Sequence, residues 1–260
     1  MIIAIDIGNT NMKIGIFEND KLLHSWRISV MPIRTSDEYG ITLMNLFKEN
    51  DLNKSEVEGI IISSVVPSLN YTIEHMCDYF FGIKPIMVSA NIKTGLTYAY
   101  DNPSELGADR IVNAVAAVSL YGAPVIVVDL GTATAFGAVS GKKVFLGGAI
   151  APGLKTSIDY LGANAARLSR IEISRPKTAI CTNTVDNMRS GAINGFSGLV
   201  GGLIDSFRKE MNEDNIKVVA TGGLAELLRD GDKSVFDVVD RTLTLQGLNI
   251  LYKLNTQKEN

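Results

Sequence analysis

Cysteine is scarce in this chain of 260 residues: it holds only Cys77 and Cys181, far apart, with two histidines and no C-x-x-C spacing. A disulfide framework and a zinc site are therefore not expected, and a reducing, cytoplasmic setting suits the composition. Long hydrophobic runs are missing as well. The apolar opening Met1 to Ile5 meets Asp6 and Asn9 at once, too soon for a signal-peptide core, and no stretch approaches the ~20 apolar residues of a membrane span. Neither secretion nor membrane insertion is expected. An excess of one charge is absent too: 28 acidic residues stand against 25 basic ones, for a net charge of -3. Without a basic run there is no electrostatic footprint for gripping a nucleic acid. No G-x-x-x-x-G-K-[ST] loop and no G-x-S-x-G elbow occurs, which removes P-loop kinases and serine hydrolases of that type. His24, His75 and Trp26 fall where packing or surface placement accounts for them.

What the chain does have is apolar residues, 46% of the total, and 24 glycines that cluster. The length accommodates one large domain or two of roughly 100 to 150 residues, each able to bury a core. Ile2 to Ile7 is a β-branched run; the alternation of Met12, Ile14 and Ile16 predicts a second strand and Leu22 to Ile28 a third. A helical pattern from Ser36 and a buried strand Val57 to Ser63 complete the order βββαβ. The block from Pro124 to Ile150 repeats that opening about half a chain later, with Asp129 and Gly131 standing where Asp6 and Gly8 stood. Repetition on that scale predicts two similar domains, 1–121 and 122–260, rather than a solenoid. Beyond it come a helix from Leu154, a long one around Asp186 to Lys209, a strand Lys217 to Ala220, and helices after Gly223 and Thr242.

Several clusters can carry chemistry. Asp6-Ile7-Gly8-Asn9-Thr10-Asn11, with Met12 and Lys13 after it, lies on a strand, turn and strand. Such a tip can turn N–H groups into a nest for phosphate oxygens, with Thr10, Asn11 and Lys13 as added donors and Asp6 holding Mg²⁺ through water. It can equally be an ordinary hairpin whose Asn-Thr suits the turn. The second copy, Asp129-Leu130-Gly131-Thr132, tips the balance, because paired hairpins with a carboxylate at each base suit a metal-bound triphosphate. Asn102-Pro103 with Glu105 reads as a strong helix start, and Gly107, Ala108, Asp109 and Arg110 follow it. There a carboxylate can orient a substrate hydroxyl and a guanidinium can clamp a carboxylate, or the two form a plain surface pair. Thr221-Gly222-Gly223 either makes room for a flat ring such as adenine or simply turns a strand into a helix. Gly191, Gly195, Gly198, Gly201 and Gly202 on one long helix need compensation, from close packing in the core or across a subunit interface.

Taken together, these residues resemble a known family. The duplicated opening is similar to the actin, sugar-kinase and heat-shock-chaperone ATPase superfamily. Asp6 to Asn11, the run from Tyr100 through Asp109-Arg110, Gly147 to Leu154, Asn183-Thr184 and Thr221-Gly222-Gly223 resemble type III pantothenate kinases in identity and order. The resemblance implies an α/β protein of two ribonuclease-H-like domains, each a mixed sheet flanked by helices, with an ATP cleft between them. It implies ATP-dependent phosphorylation of pantothenate, the first step towards coenzyme A. Asp6, Ile7, Gly8, Asn9, Thr10, Asn11, Met12, Lys13 and Thr132 would then bind ATP, and Asp129 a monovalent cation, potassium or ammonium. Tyr100, Gly107, Ala108, Asp109 and Arg110 would bind pantothenate, with Asp109 the catalytic proton acceptor, needing no raised pKa because the proton leaves late. Thr184 would reach the substrate from the neighbouring subunit of a homodimer. Two other readings stay open: a non-catalytic regulator of transcription on the same fold, and a kinase for another small metabolite such as a sugar.

Overall fold

Isoleucine and valine dominate both copies of the opening, and β-branched side chains suit a pleated, buried surface. In the computed structural model, which describes residues 1–165, 167–229 and 234–257, those runs are strands. The chain runs β1 (Ile2–Ile7), β2 (Asn11–Glu18), β3 (Lys21–Ser29), α1 (Ser36–Glu49), β4 (Gly59–Ser64), α2 (Pro67–Phe81), β5 (Ile86–Met87), β6 (Thr97–Tyr98) and α3 (Ala108–Tyr121). It continues through β7 (Val125–Leu130), β8 (Ala133–Val139), β9 (Val144–Pro152), α4 (Leu154–Asn164), α5 (Thr184–Met211), β10 (Lys217–Thr221), α6 (Ala225–Leu228), β11 (Val238–Val239) and α7 (Leu243–Thr256). Two compact units result. Unit 1 comprises Met1–Gly95, Asp101–Ala116 and Thr242–Asn260; unit 2 comprises Leu96–Tyr100 and Ala117–Arg241.

In unit 1 the sheet order is β3-β2-β1-β4-β5. The first three strands are antiparallel neighbours, while β1, β4 and β5 run parallel. Alternation sends Ile3, Ile5 and Ile7 to one face, where they join Leu43 and Phe47 of α1 and Leu69, Ile73 and Met76 of α2 in a buried cluster. Each such side chain contributes roughly 1.5–3 kcal/mol by leaving water. The even-numbered side chains of β1, Asp6 among them, point to the opposite face. α7 packs on β1, β4 and β2. It is pinned there by Asn249, whose Nδ2 donates to the Asn19 carbonyl at 2.8 Å, and by Lys253, 2.6 Å from Asp20.

Unit 2 repeats the arrangement. Its order is β11-β10-β7-β8-β9-β6, so β7, β8 and β9 match β1, β2 and β3, while β10 and β11 match β4 and β5. Among the described residues only β6, parallel to β9 at the edge, is extra. Val128, Leu130 and Phe136 pack with Ile193, Phe196 and Val200 of α5. The architecture is thus an α/β fold of two mixed sheets flanked by helices, duplicated on the ribonuclease-H-like plan.

The compact units differ from the linear halves 1–121 and 122–260 at three places, the smallest being the last turn of α3 from Ala117, which falls with unit 2. Residues from Thr242 onward belong with unit 1, because the apolar face of α7 is buried on the first sheet. Leu96–Tyr100 belongs with unit 2, because β6 completes the hydrogen bonds of β9.

Candidate functional site

The first hairpin is set by its register. Asp6 pairs with Lys13 across β1 and β2, which puts both side chains on the same face of the sheet, with Lys13 Nζ 3.6 Å from the Asp6 carboxylate. Asp6 is 8% exposed, a charge kept largely from water beside a cation. Between the paired Ile7 and Met12 the chain turns through Gly8, Asn9, Thr10 and Asn11, closed by Gly8 N–H donating to the Asn11 carbonyl at 3.1 Å. The Thr10 carbonyl accepts from Val30 N–H, which ties the tip to the end of β3. Asn9, Thr10 and Asn11 are exposed, whereas the side chains of Ile7 and Met12 lie in the core. Those two residues can offer a ligand only their backbone.

The acceptor segment departs from its expected form. Asn102 does cap a turn, its Oδ1 accepting from Ser104 N–H at 3.2 Å and its Nδ2 donating to Glu105 at 3.0 Å. That turn is a single 3₁₀ turn, Pro103–Glu105, and α3 starts only at Ala108. Leu106 and Ala108 are buried and hold the break in place. The break has a use. A Cβ on Gly107 would stand 2.6 Å from Asp109 Oδ1, so the glycine leaves the space into which the Asp109 carboxylate folds. That oxygen accepts from the N–H of Arg110 at 2.8 Å. Burial raises the Asp109 pKa above the ordinary 3.8, and the Arg110 N–H and the charges of Arg110 and Lys13 offset only part of the rise. Unit 1 therefore gathers Asp6, Lys13, Asp109 and Arg110 on strands β1 and β2 and the first turn of α3.

Ser63 carries no motif, yet it stands in parallel register with Asp6 on β4. Its one signal in the sequence is that Ser63-Ser64 closes the apolar run Ile60–Ile62.

In unit 2, Asp129 is in register with Ala135, and the tip is one residue shorter: Gly131, Thr132 and Ala133 lie between the paired Leu130 and Thr134. The exposed Thr132 presents its side chain while its carbonyl accepts from Gly153 N–H at 3.1 Å and Thr156 Oγ1 at 2.7 Å. Gly222, with φ of +96, lies against the same hairpin, where a Cβ would stand 2.5 Å from the Leu130 carbonyl oxygen. Thr221-Gly222-Gly223 is thus at least a tight strand-to-helix turn, into the four-residue α6. Tyr100 packs against Phe145, and Thr184 is the exposed first residue of α5, behind the Asn183 cap.

Gly191, Gly195, Gly198 and Gly202 share an exposed side of α5, with nothing among the described residues within 4 Å of where a Cβ would stand. Core packing against the described residues is thereby removed as their explanation. Among the described residues no group of three or more His, Cys, Asp or Glu could cage a metal, and no helix is long and apolar enough to cross a membrane. Burial, with Glu74 nearby, pushes the Cys77 thiol up to about 12, which makes it inert as a nucleophile.

A family model described as type III pantothenate kinase matches residues 2–206. Among solved structures, a conserved protein assigned to the Baf family of transcriptional activators, from Campylobacter jejuni, superposes with a TM-score of 0.62 at 20% identity, over 97% of this chain and 98% of that one. A protein assigned as a 2-dehydro-3-deoxygalactonokinase, from Sinorhizobium meliloti, gives 0.63 at 13% identity over 100% and 99%. An inorganic polyphosphate/ATP-glucomannokinase from Arthrobacter gives 0.51 at 17% identity over 96% of each chain. These three likenesses are likenesses of fold.

Proposed function

Since the chain belongs to the type III pantothenate kinase family, we propose that it transfers the γ-phosphoryl group of ATP to the primary alcohol of pantothenate, giving 4'-phosphopantothenate. The observation that carries this reading is the half-buried Asp109 carboxylate, folded over Gly107 onto the Arg110 N–H, with the charges of Arg110 and Lys13 acting on it. Arg110 takes the pantothenate carboxylate in a bidentate pair, and Asp109 orients the hydroxyl and receives its proton late in a loose transition state. A carboxylate held above its ordinary pKa is the better proton acceptor. Gly107 and Ala108 shape the same substrate site, while Tyr100 is carried to the substrate by the family resemblance alone. The tip from Gly8 to Asn11 gives backbone and side-chain donors to the phosphates, Lys13 neutralises charge on the group in transfer, and Thr132 adds a contact from the second hairpin.

The donor set suits the cations of this reading. One nearly buried carboxylate, Asp6, without a cage, fits Mg²⁺, which keeps most of its water and is shared with substrate phosphates. Asp129, a hard oxygen donor, fits potassium or ammonium. When bound, these ions supply positive charge to the phosphate oxygens. The enzyme acts in the cytoplasm as a homodimer in which Thr184 of one subunit serves the substrate of the other. The open glycine stripe on α5 supports that assembly, because each helical glycine costs roughly 0.5–1 kcal/mol that a partner surface would offset.

The fold of the Baf-assigned relative keeps a regulatory reading in view, but the presence of Asp6, Asp109, Arg110 and Asp129 together favours catalysis. The deciding experiment measures ADP release by purified protein with Mg²⁺ and pantothenate, with and without potassium, beside a panel of sugars. Potassium-stimulated turnover on pantothenate alone is expected. Turnover on a sugar but not on pantothenate would replace the substrate, and none on any acceptor would favour the regulator.

A further inference from the structure

Each hairpin aspartate has a companion on the neighbouring parallel strand. Ser63 of β4 is in register with Asp6, and Thr221 of β10 is in register with Asp129. Residues in register on parallel strands point to the same face, about 4.8 Å apart. The strands occupy equivalent places in the two sheets, so the duplication carries a carboxylate and a hydroxyl side by side twice. Both hydroxyls are withdrawn from water, Ser63 at 0% and Thr221 at 1% exposure, and neither oxygen has a hydrogen-bond partner among the described residues.

A buried hydroxyl without a partner costs its full desolvation, and an alanine or valine in its place would remove that cost. Two such costs at matching positions, each beside a ligand-facing carboxylate, call for a shared return. We propose that Ser63 and Thr221 are positioning residues. Each donates its hydroxyl to the adjacent carboxylate, directly or through one water, when Mg·ATP and potassium are bound. That leaves one carboxylate oxygen fixed towards the ligand's charge. Thr134 provides the contrast within the same protein. Its hydroxyl is equally buried and equally without a partner, but it is in register with Leu130 of the core cluster and so points to the opposite face.

The assignment rests on the ATP-dependent reading above, so its test is binding and melting rather than turnover. Mg·ATP binding in potassium buffer is measured by calorimetry, alongside the melting temperature of ligand-free protein, for Ser63→Ala, Thr221→Val, Thr221→Ser and Thr134→Val. Ser63→Ala and Thr221→Val should melt at or above the wild-type temperature without ligand and bind Mg·ATP about tenfold more weakly, the loss of one hydrogen bond to a charged group. Thr221→Ser should restore binding, and Thr134→Val should leave it unchanged. Wild-type affinity in both Ser63→Ala and Thr221→Val, with a lowered melting temperature, would make the hydroxyls structural and overturn this assignment alone. Absence of Mg·ATP binding by the wild-type protein would overturn the ATP reading and this assignment together.

Discussion

The two hairpins share a backbone plan and differ in what faces their aspartates. Asp6 is nearly buried and has Lys13 opposite it, whereas Asp129 is half-buried and has Ala135 opposite it. The longer tip of the first exposes Asn9, Thr10 and Asn11; the shorter tip of the second is braced from behind, its Thr132 carbonyl held by Gly153 and Thr156. The first hairpin carries its own cation beside its carboxylate, and the second does not; on the proposed reading that leaves Asp129 to take one from solution. Duplicated topology thus leaves the character of each hairpin to single register positions.

The largest expected effect separates the two carboxylates. Asp6→Asn should lower kcat/KM for ATP by about 10³-fold at every potassium concentration, the scale of losing a preorganised electrostatic contact. Asp129→Asn should cost about tenfold and abolish potassium stimulation. Equal losses, both independent of potassium, would break the division of labour. A sharper version exchanges the facing residues. Lys13→Ala should cost about 10²-fold in kcat/KM, while Ala135→Lys should reduce the potassium requirement several-fold by placing an ammonium opposite Asp129. An unchanged potassium titration in Ala135→Lys would count against a cation site there.

Smaller effects follow from bracing and burial. Gly222→Ala should destabilise unit 2 by about 2–3 kcal/mol in denaturant unfolding, because the new methyl meets the Leu130 carbonyl at a positive φ. Gly8→Ala, whose Cβ would meet the Asn11 carbonyl at 3.2 Å, should cost under ~1 kcal/mol. The smallest effect is pH-linked. A carboxyl whose folded pKa is raised contributes stability that is fully present below its ordinary value of 3.8 and is lost as pH rises through the folded value. Asp109→Asn should therefore melt above wild type at neutral pH, with the gap closing as the solution is acidified. A constant gap across that range would mean that Asp109 carries no burial cost.

Much of the hairpin was legible from period and turn chemistry alone. Alternating Met12, Ile14 and Ile16 and the Gly-Asn-Thr tip predict the strands and the turn, because a pleated strand alternates faces and that tip suits a reversal. The repetition of Asp-x-Gly announced the second copy. The helix start at Asn102 was misplaced by a real capping signal: Asn102, Pro103 and Glu105 satisfy a turn, and burial of Leu106 and Ala108 then ends it before α3 begins. The two-residue strands β5, β6 and β11 were beyond reach, since no periodicity is measurable in two residues. Ser63 was invisible for another reason: its significance is the strand beside it, some 57 positions away in the chain.

Local sequence determined which segments are strands, where the chain reverses, and that Asp6, Asp109, Arg110 and Asp129 stand at or beside those reversals and turns. These follow from side-chain period, turn propensity and residue type, all of which act over a few neighbours. Only the tertiary structure decided that Lys13 faces Asp6 while Ala135 faces Asp129, and that Asp109 folds over Gly107 with a raised pKa. It also decided that α7 closes unit 1 and that the glycine stripe of α5 stays open. Register, burial and helix packing are set by contacts between distant parts of the chain, and those contacts exist only once the sheets have formed.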